Sequence, residues 1–455
     1  MNVYDIVIVG AGLSGLICAK TLLEKAPHLR VLVVEARGVI GGRVCPVETF
    51  SSQTIEMGAE LIHGQHSVLT QLLDNMGMET QEITTWAPGD GPHPEGLVEG
   101  GCGYYYLGSD HRLFRYDHGD PDFIHMNQVI HDLSSDDRSE ETILEYLATH
   151  KVTAQMMDMA RAGYSNTLCS ELEHLPRVQT AELMDAFERD GPGERINLRG
   201  WKPFLNQLAR GLDIRTTWVV EKIAWSPGSV TLTSTTGEVL VASKVVITAS
   251  LSVLQRGIIE FKPPIPPERQ RILNSIRMEP CVKLALRFNH RFVPNDFRGM
   301  ICQGCIIPEF WSMSPTNAEE FVLMGFATSR YAKPLRYLSR PYLRDMVLKQ
   351  LDRIWGTERN PHPAKDSYLD MIVQDWTAEK YIGGGYSSPS FHVTTTDRDH
   401  LGSPLHETIY WAGEGFHPTR YMVMQGALES GIHTAHQLLQ TISNLKPNFK
   451  PISKL

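Results

Sequence analysis

The chain has 455 residues, 42% of them hydrophobic, and a formal charge of −9. That length suits about two to three domains, and a negative balance with no basic stripe excludes a general nucleic-acid binder. No apolar run approaches a membrane span, and the N-terminus lacks the basic segment of a secretory leader, its apolar run being read as a strand.

The first 43 residues organise the rest. Asp5-Ile6-Val7-Ile8-Val9 reads as a strand and runs into Gly10-Ala11-Gly12-Leu13-Ser14-Gly15. A helical pattern follows through Leu16, Ala19, Leu22 and Leu23, and a second strand, Val31-Leu32-Val33-Val34, ends on Glu35, twenty positions after Gly15. Strand, glycine turn, helix, strand and acid in that order form a dinucleotide fingerprint. Gly10 permits the tight turn, Gly12 lets backbone approach a pyrophosphate, and Gly15 allows close helix–strand packing. The helix start, with Ser14 in its first turn, offers N–H groups and partial positive charge to the anion. Glu35 accepts from ribose hydroxyls.

Gly41-Gly42-Arg43 then selects among dinucleotides. A glycine pair ending in arginine just after the ribose acid resembles the flavoprotein pattern, in which the arginine reaches the FAD phosphates. NAD needs nothing there, so the expected cofactor is FAD.

Ile55-Glu56-Met57-Gly58-Ala59-Glu60-Leu61-Ile62-His63-Gly64 resembles the flavin-containing amine oxidases, and among them the polyamine oxidases, which carry an acid-x-Gly-Ala segment running into Ile-His-Gly. The resemblance implies that Gly58 and Ala59 let backbone pass close to the flavin ring and that His63 faces substrate. Glu60 and Leu61 depart from the pattern, and Glu60 brings an unusual carboxylate to substrate and ring.

Residues 79 to 116 read as loops, including Tyr104-Tyr105-Tyr106. Ser139 to Leu175 reads as helices through Ile143, Leu144, Leu147, Met156, Met157, Met159 and Ala160, similar to the family's cover over the substrate chamber. Asp185, Glu188 and Asp190 are either a solvated face or, by the resemblance, carboxylates for cationic substrate tails. Leu198 to Leu212 resembles a helix start of the family, with Arg199-Gly200-Trp201 in its glycine pair's place. Val220 falls at the valine whose backbone pairs with adenine. Val245 to Leu254 resembles a returning strand, with Ser250 where relatives usually carry proline.

Val282 to Phe288 alternates and reads as a strand. Lys283 in it matches the family lysine that holds a water against flavin N5; the bland alternative is a solvent-facing lysine. Val322 to Ala327 reads as a core strand and Leu343 to Ile354 as a helix. Trp376 matches the tryptophan beside the flavin, and Tyr386 matches one aromatic wall of the amine cage. Monoamine oxidases bond flavin through a cysteine where Gly385 stands, so FAD is expected to be non-covalent. Tyr410 to Glu414 and Met424 to Gly431 reproduce the family's closing signature. By the resemblance, Gly413 and Glu414 meet the ribityl–phosphate region, and the helix start at Met424 and Ala427 faces the flavin pyrimidine. Val423 stands where monoamine oxidases place a second cage tyrosine.

The seven cysteines are odd in number and scattered, unlike a secreted disulfide framework. Cys302 and Cys305 form a single CxxC without a second pair or nearby histidines, so the reading is reduced thiols of an intracellular protein and no metal. The chain closes on Ser453-Lys454-Leu455, a peroxisomal address read by an import receptor, on a proline-punctuated tail from 446 to 455 expected to be flexible.

The expected architecture is therefore α/β and discontinuous. A Rossmann-like FAD domain with a parallel sheet gathers residues 1–78, 192–275 and 396–455. A mixed-sheet and helical substrate domain gathers 79–191 and 276–395, with the catalytic residues at the junction. The resemblance implies oxidation of an amine C–N bond, with O2 as acceptor and hydrogen peroxide and an aldehyde as products, polyamines being the expected substrates. One alternative is an oxidase of L-amino acids or another nitrogen compound, which needs a cation for the substrate carboxylate; Arg420 is the candidate. Another is a flavin-bearing chromatin scaffold like the histone demethylases, though no coiled-coil insertion is visible.

Overall fold

Val3–Val9 is an interior strand of an eight-stranded sheet in the computed structural model, which describes residues 3–83, 102–116, 119–134, 140–191, 193–312, 314 and 318–444. The C-terminal tripeptide and the expected flexible tail lie outside the described residues. By internal contacts the chain divides into two units.

The first unit comprises Met1–Arg43, Pro203–Asn274 and Thr394–Leu455. Val3–Val9 pairs in parallel with Val31–Val34 on one side and Val239–Ile247 on the other, and Asp213–Arg215 adds a further parallel strand. Val239–Ile247 changes partner along its length: its first half meets Ser229–Ser234 antiparallel, its last residues meet Ile409–Trp411 in parallel. Val220–Ser226 and Glu260–Lys262 complete the sheet. Ile6, Val7 and Ile8 are fully buried, as in a strand covered on both faces. Helices Leu13–Lys25 and Met424–Asn444 pack backbone to backbone. A Cβ at Gly431 would sit 2.4 Å from the Ser14 carbonyl oxygen and 2.6 Å from Ile17 Cγ2. Ser250 replaces the relatives' proline with a cap: its side chain accepts from Val253 N and starts the short helix Leu251–Gln255.

The second unit comprises Val44–Lys202 and Ser275–Val393. Its largest sheet has seven strands, in the order Tyr368–Asp375, Cys281–Phe288, Phe321–Thr328, Glu309–Trp311, Phe297–Gln303, Cys102–Leu107 and Arg112–Arg115. Only Cys102–Leu107 beside Phe297–Gln303 is a parallel pair. The reading of 79–116 as loops is corrected here, since Thr80–Ile83 is a strand too; residues 84–101 lie outside the described ones. Tyr104 and Tyr106 enter one core with Arg340–Trp355, while Tyr105 enters another with the helices Pro121–His131, Ile143–Thr149 and Ala154–Ala160. A strand with two covered faces needs no polar alternation.

The methionine-bearing segment is shorter in α-helix than its apolar spacing implies. A π-helical turn, Arg161–Ser165, continues Ala154–Ala160. Residues 44–78 and 193–202, expected with the nucleotide-binding segments, instead lie in this second unit. The cause is a small sheet in which Glu194–Asn197 pairs with both Ile62–His63 and Thr80–Ile83.

Candidate active site

In the first unit the glycine turn is built as a cradle. Gly10 has φ +112°, a conformation L side chains rarely adopt. A Cβ at Gly15 would lie 2.0 Å from the Gly10 carbonyl oxygen, whereas one at Gly12 would meet nothing nearer than Gly42 Cα at 3.9 Å. The helix Leu13–Lys25 begins at Gly12 with no side-chain cap and no acid in its first turn, which leaves its N-terminal field for an anion. Glu35 is buried, and its two oxygens accept from Ala11 N and Arg37 N, both at 2.8 Å. Each carboxylate oxygen keeps a lone pair for a ribose hydroxyl.

Arg43 Nη1 donates to Glu414 Oε1 at 2.9 Å, and Met422 N donates to Glu414 Oε2 at 3.0 Å. Gly413 N donates to Ser430 Oγ at 3.1 Å. Val220 sits at a bulge, where the pairing with Ser229–Ser234 slips between Val220 and Lys222. Met424 opens the helix that carries Ala427, and Ala427 N donates to the Val423 carbonyl at 3.3 Å. An uncapped helix start, a ribose acid with spare lone pairs and a turn open at Gly12 fit a dinucleotide.

Arg420, the candidate carboxylate clamp, lies in this unit and is engaged. Its Nη1 donates to Glu429 Oε2 at 3.4 Å, and the same oxygen faces His417 Nε2 at 2.9 Å. Since Thr419 N and Arg420 N both donate to His417 Nδ1, the imidazole proton belongs on Nε2, towards Glu429.

In the second unit Lys283 is 2% exposed. Its Nζ donates to the Gly58 carbonyl at 2.9 Å and to Glu60 Oε2 at 2.8 Å, and lies 4.9 Å from the Trp311 ring centroid. Trp311 Nε1 donates to the same Glu60 oxygen at 2.9 Å. A solvent-facing lysine is thereby excluded. Ala285, on the same strand face, packs in a cluster with Phe50, Ile55, Met57 and Trp311, which closes the face that alternation would leave open. An ammonium has three donors, and the structure commits two of them.

Trp376 is buried, and its Nε1 donates to the Met57 carbonyl at 3.0 Å, tying it to the segment of Gly58 and Ala59. Tyr386 donates its hydroxyl to the Thr167 carbonyl at 2.6 Å. A Cβ at Gly385 would stand 2.8 Å from Cys281 Cβ, so a cysteine does not fit there and the flavin is held without a covalent bond from that position. His63 stacks on Phe187 with centroids 5.9 Å apart, and its Nδ1 lies 3.4 Å from Glu194 Oε1. Of the acidic stretch, Asp190 is buried and its carbonyl accepts from His66 N. Glu194, Phe187 and Trp311 were missed from sequence; none stands in a motif, and only strand pairing brings Glu194 to His63 and Trp311 to Lys283, while Phe187 reaches His63 from the helix Arg177–Glu188. Among the described residues no group of three His, Cys, Asp or Glu could hold a metal ion.

Glu56 contributes a pH dependence. Its Oε1 accepts from Trp201 N at 2.8 Å, while its buried Oε2 has no partner. Burial, seconded by the charge of Glu60 and opposed by Trp201 N and Lys283, pushes its carboxyl up to about 8 from 4.5. The folded state then holds a proton that the unfolded chain releases. This contribution is fully present below pH 4.5 and is lost as pH rises through about 8. Stability is expected to fall across that window by at most about 1.4 kcal/mol per pH unit. Glu56→Gln should flatten the slope, and thermal unfolding of both proteins from pH 5 to 9 checks it.

Residues 13–439 match the family described as flavin containing amine oxidoreductase. Lysine-specific histone demethylase 1B of Mus musculus is 24% identical over 460 residues, covering 95% of this chain and 52% of that protein. The chain thus spans about half the length of that relative. Polyamine oxidase 2 of Arabidopsis thaliana is 25% identical over 453 residues, covering 95% of this chain and 87% of that protein. Among solved structures, putrescine oxidase bound to putrescine superposes with a TM-score of 0.80 at 18% identity, covering 96% of this chain and 99% of that one. Cyclohexylamine oxidase from Brevibacterium oxydans IH-35A gives 0.77 at 19% identity, covering 97% of this chain and 99% of that one. These likenesses carry the fold.

Proposed function

The chain belongs to the flavin-containing amine oxidoreductase family, and from that premise we propose that it is an FAD-dependent oxidase of polyamines acting in the peroxisome. The observation that carries the catalytic part is the buried Lys283, held by the Gly58 carbonyl and Glu60 with one donor to spare. Bound FAD supplies the two-electron acceptor, and O2 takes those electrons on to hydrogen peroxide.

The residues of the chain do the rest. An amine with an aqueous pKa near ~10 is neutral in only about one molecule in a thousand at pH 7. Trp376 and Tyr386 form apolar walls that desolvate the nitrogen and favour its neutral form. Lys283 orients a water with its third N–H. Water then hydrolyses the released imine to aldehyde and amine. Glu194 beside His63 and the unpaired Oε1 of Glu60 suit a substrate with a second, protonated nitrogen. The curated relatives named polyamine oxidases support that substrate class.

The amino-acid oxidase reading needs a cation for the substrate carboxylate. Arg420 already shares its guanidinium with Glu429, which favours the amine. Peroxide and aldehyde should appear with spermine, spermidine or their acetyl derivatives and stay at background with L-amino acids. The reverse pattern would replace the polyamine reading by the amino-acid one.

The address Ser453-Lys454-Leu455 supports the peroxisomal placement, as does a peroxide-forming reaction. A fluorescent protein fused ahead of the chain, with the C-terminus free, should mark peroxisomes and become diffuse when Leu455 is removed. Nuclear fluorescence would point instead to the chromatin reading.

A further inference from the structure

We propose that Cys302 and Cys305 form a redox-active dithiol that hydrogen peroxide closes to a disulfide, Cys305 attacking and Cys302 resolving. The pair lies in the second unit: Cys302 is next to last in the strand Phe297–Gln303, and Cys305 stands in the turn joining it to Glu309–Trp311. Gly304 between them is left-handed, with φ +70° and open space where a Cβ would point. That turn is pinned at both ends. Cys302 N donates to the Pro308 carbonyl at 2.7 Å. The Gln350 side chain clasps Ile307 by accepting from its N at 3.0 Å and donating to its O at 2.8 Å.

Cys302 is fully buried, whereas Cys305 is only partly so. Both are free thiols. Cys305 packs against the core cluster that contains Cys302, three positions away across the Gly304 turn, and each thiol acts on the other's ionisation.

Electrostatics separates their roles. Tyr106, Glu309 and Arg353 are the ionisable groups around the pair. The Cys302 S–H, helped by the charge of Arg353 and opposed by burial, pulls the Cys305 thiol below the ordinary range. Burial first, then the neighbouring Cys305, holds Cys302 well above it. By contrast burial pushes Cys169 up to about 12. A partly exposed thiol whose ionisation is eased, beside a buried resolving thiol, is the arrangement of a peroxide-sensitive cysteine.

The chemistry balances. The Cys305 thiolate attacks one peroxide oxygen, the O–O bond breaks, and hydroxide leaves a sulfenic acid on Cys305. Cys302 gives its proton to the hydroxide and attacks the Cys305 sulfur, and the sulfenic hydroxyl departs as hydroxide, which becomes water by taking up the proton that Cys305 released to solvent on ionising. Two thiols and one peroxide become one disulfide and two waters. The oxidant is the product of the reaction proposed above, but the test adds it directly, so this inference and the amine-oxidase reading can fail separately.

The intact holoenzyme is titrated with hydrogen peroxide, quenched with iodoacetamide and mapped by peptide mass spectrometry. The expected result is a Cys302–Cys305 disulfide, reversed by dithiothreitol, formed before any other cysteine reacts. In Cys302→Ala, dimedone should trap a sulfenic acid on Cys305, and in Cys305→Ser no disulfide should form. Should the variants fail to fold, the pH profile of Cys305 alkylation in the wild type still decides, with a midpoint expected below that of free cysteine. Both thiols remaining alkylatable after peroxide, or a Cys305 midpoint at or above that of free cysteine, would overturn the proposal.

Discussion

Lys283→Met is expected to lower turnover by about tenfold or more, since one positioned donor beside developing charge is worth more than ~1.4 kcal/mol. The structure adds a second expectation. Methionine removes the partner of Glu60 inside a buried cluster, leaving a carboxylate that keeps only the Trp311 N–H. Breaking a buried pair from one side costs about 3 kcal/mol or more, so the single variant should melt lower as well as turn over more slowly. Adding Glu60→Gln removes the orphaned charge and should recover most of the stability while leaving the rate depressed. Stopped-flow traces of both half-reactions, with melting curves of the single and double variants, separate the two losses. If the double variant regains wild-type rate, Lys283 serves packing alone.

The glycine turn offers the other large effect, because its glycines have separable jobs. At Gly15 the added Cβ would meet the Gly10 carbonyl oxygen at 2.0 Å, and the helix must move off the strand. Gly15→Ala should cost at least about 3 kcal/mol through overpacking, and FAD should be lost with the fold. At Gly12 the same methyl meets no protein atom closer than 3.9 Å. Gly12→Ala should therefore leave the apoprotein melting as wild type while FAD affinity falls by about tenfold or more, the methyl standing where backbone approaches the pyrophosphate. Flavin content after gel filtration, beside the melting temperature of stripped protein, reads both. A Gly12→Ala protein that keeps its full flavin would remove this turn from the cofactor site.

How much was legible follows from which forces are local. The turn from Gly10 to Gly15 and the acid at Glu35 are set by backbone geometry within 43 residues, so spacing alone exposes them. Lys283 was legible as a strand residue but not as a buried one. Alternation puts Lys283, Ala285 and Arg287 on one face, and what covers that face is Phe50, Ile55, Met57 and Trp311 from distant parts of the chain. Tyr104-Tyr105-Tyr106 was misread as loop for a related reason. An aromatic run without alternation signals a strand only once both its neighbours, Phe297–Gln303 and Arg112–Arg115, are known. Glu194 reaches His63 through the pairing of Ile62–His63 with its own strand, and no local pattern announces that.

The most direct test of the account is anaerobic mixing of the FAD-loaded protein with a panel of spermine, spermidine, their acetyl derivatives, simple monoamines and L-amino acids, following the flavin absorbance. The account predicts full bleaching by at least one polyamine at a rate matching steady-state turnover, with the L-amino acids leaving the oxidised spectrum unchanged. Bleaching by an L-amino acid alone, or by no member of the panel, would contradict it.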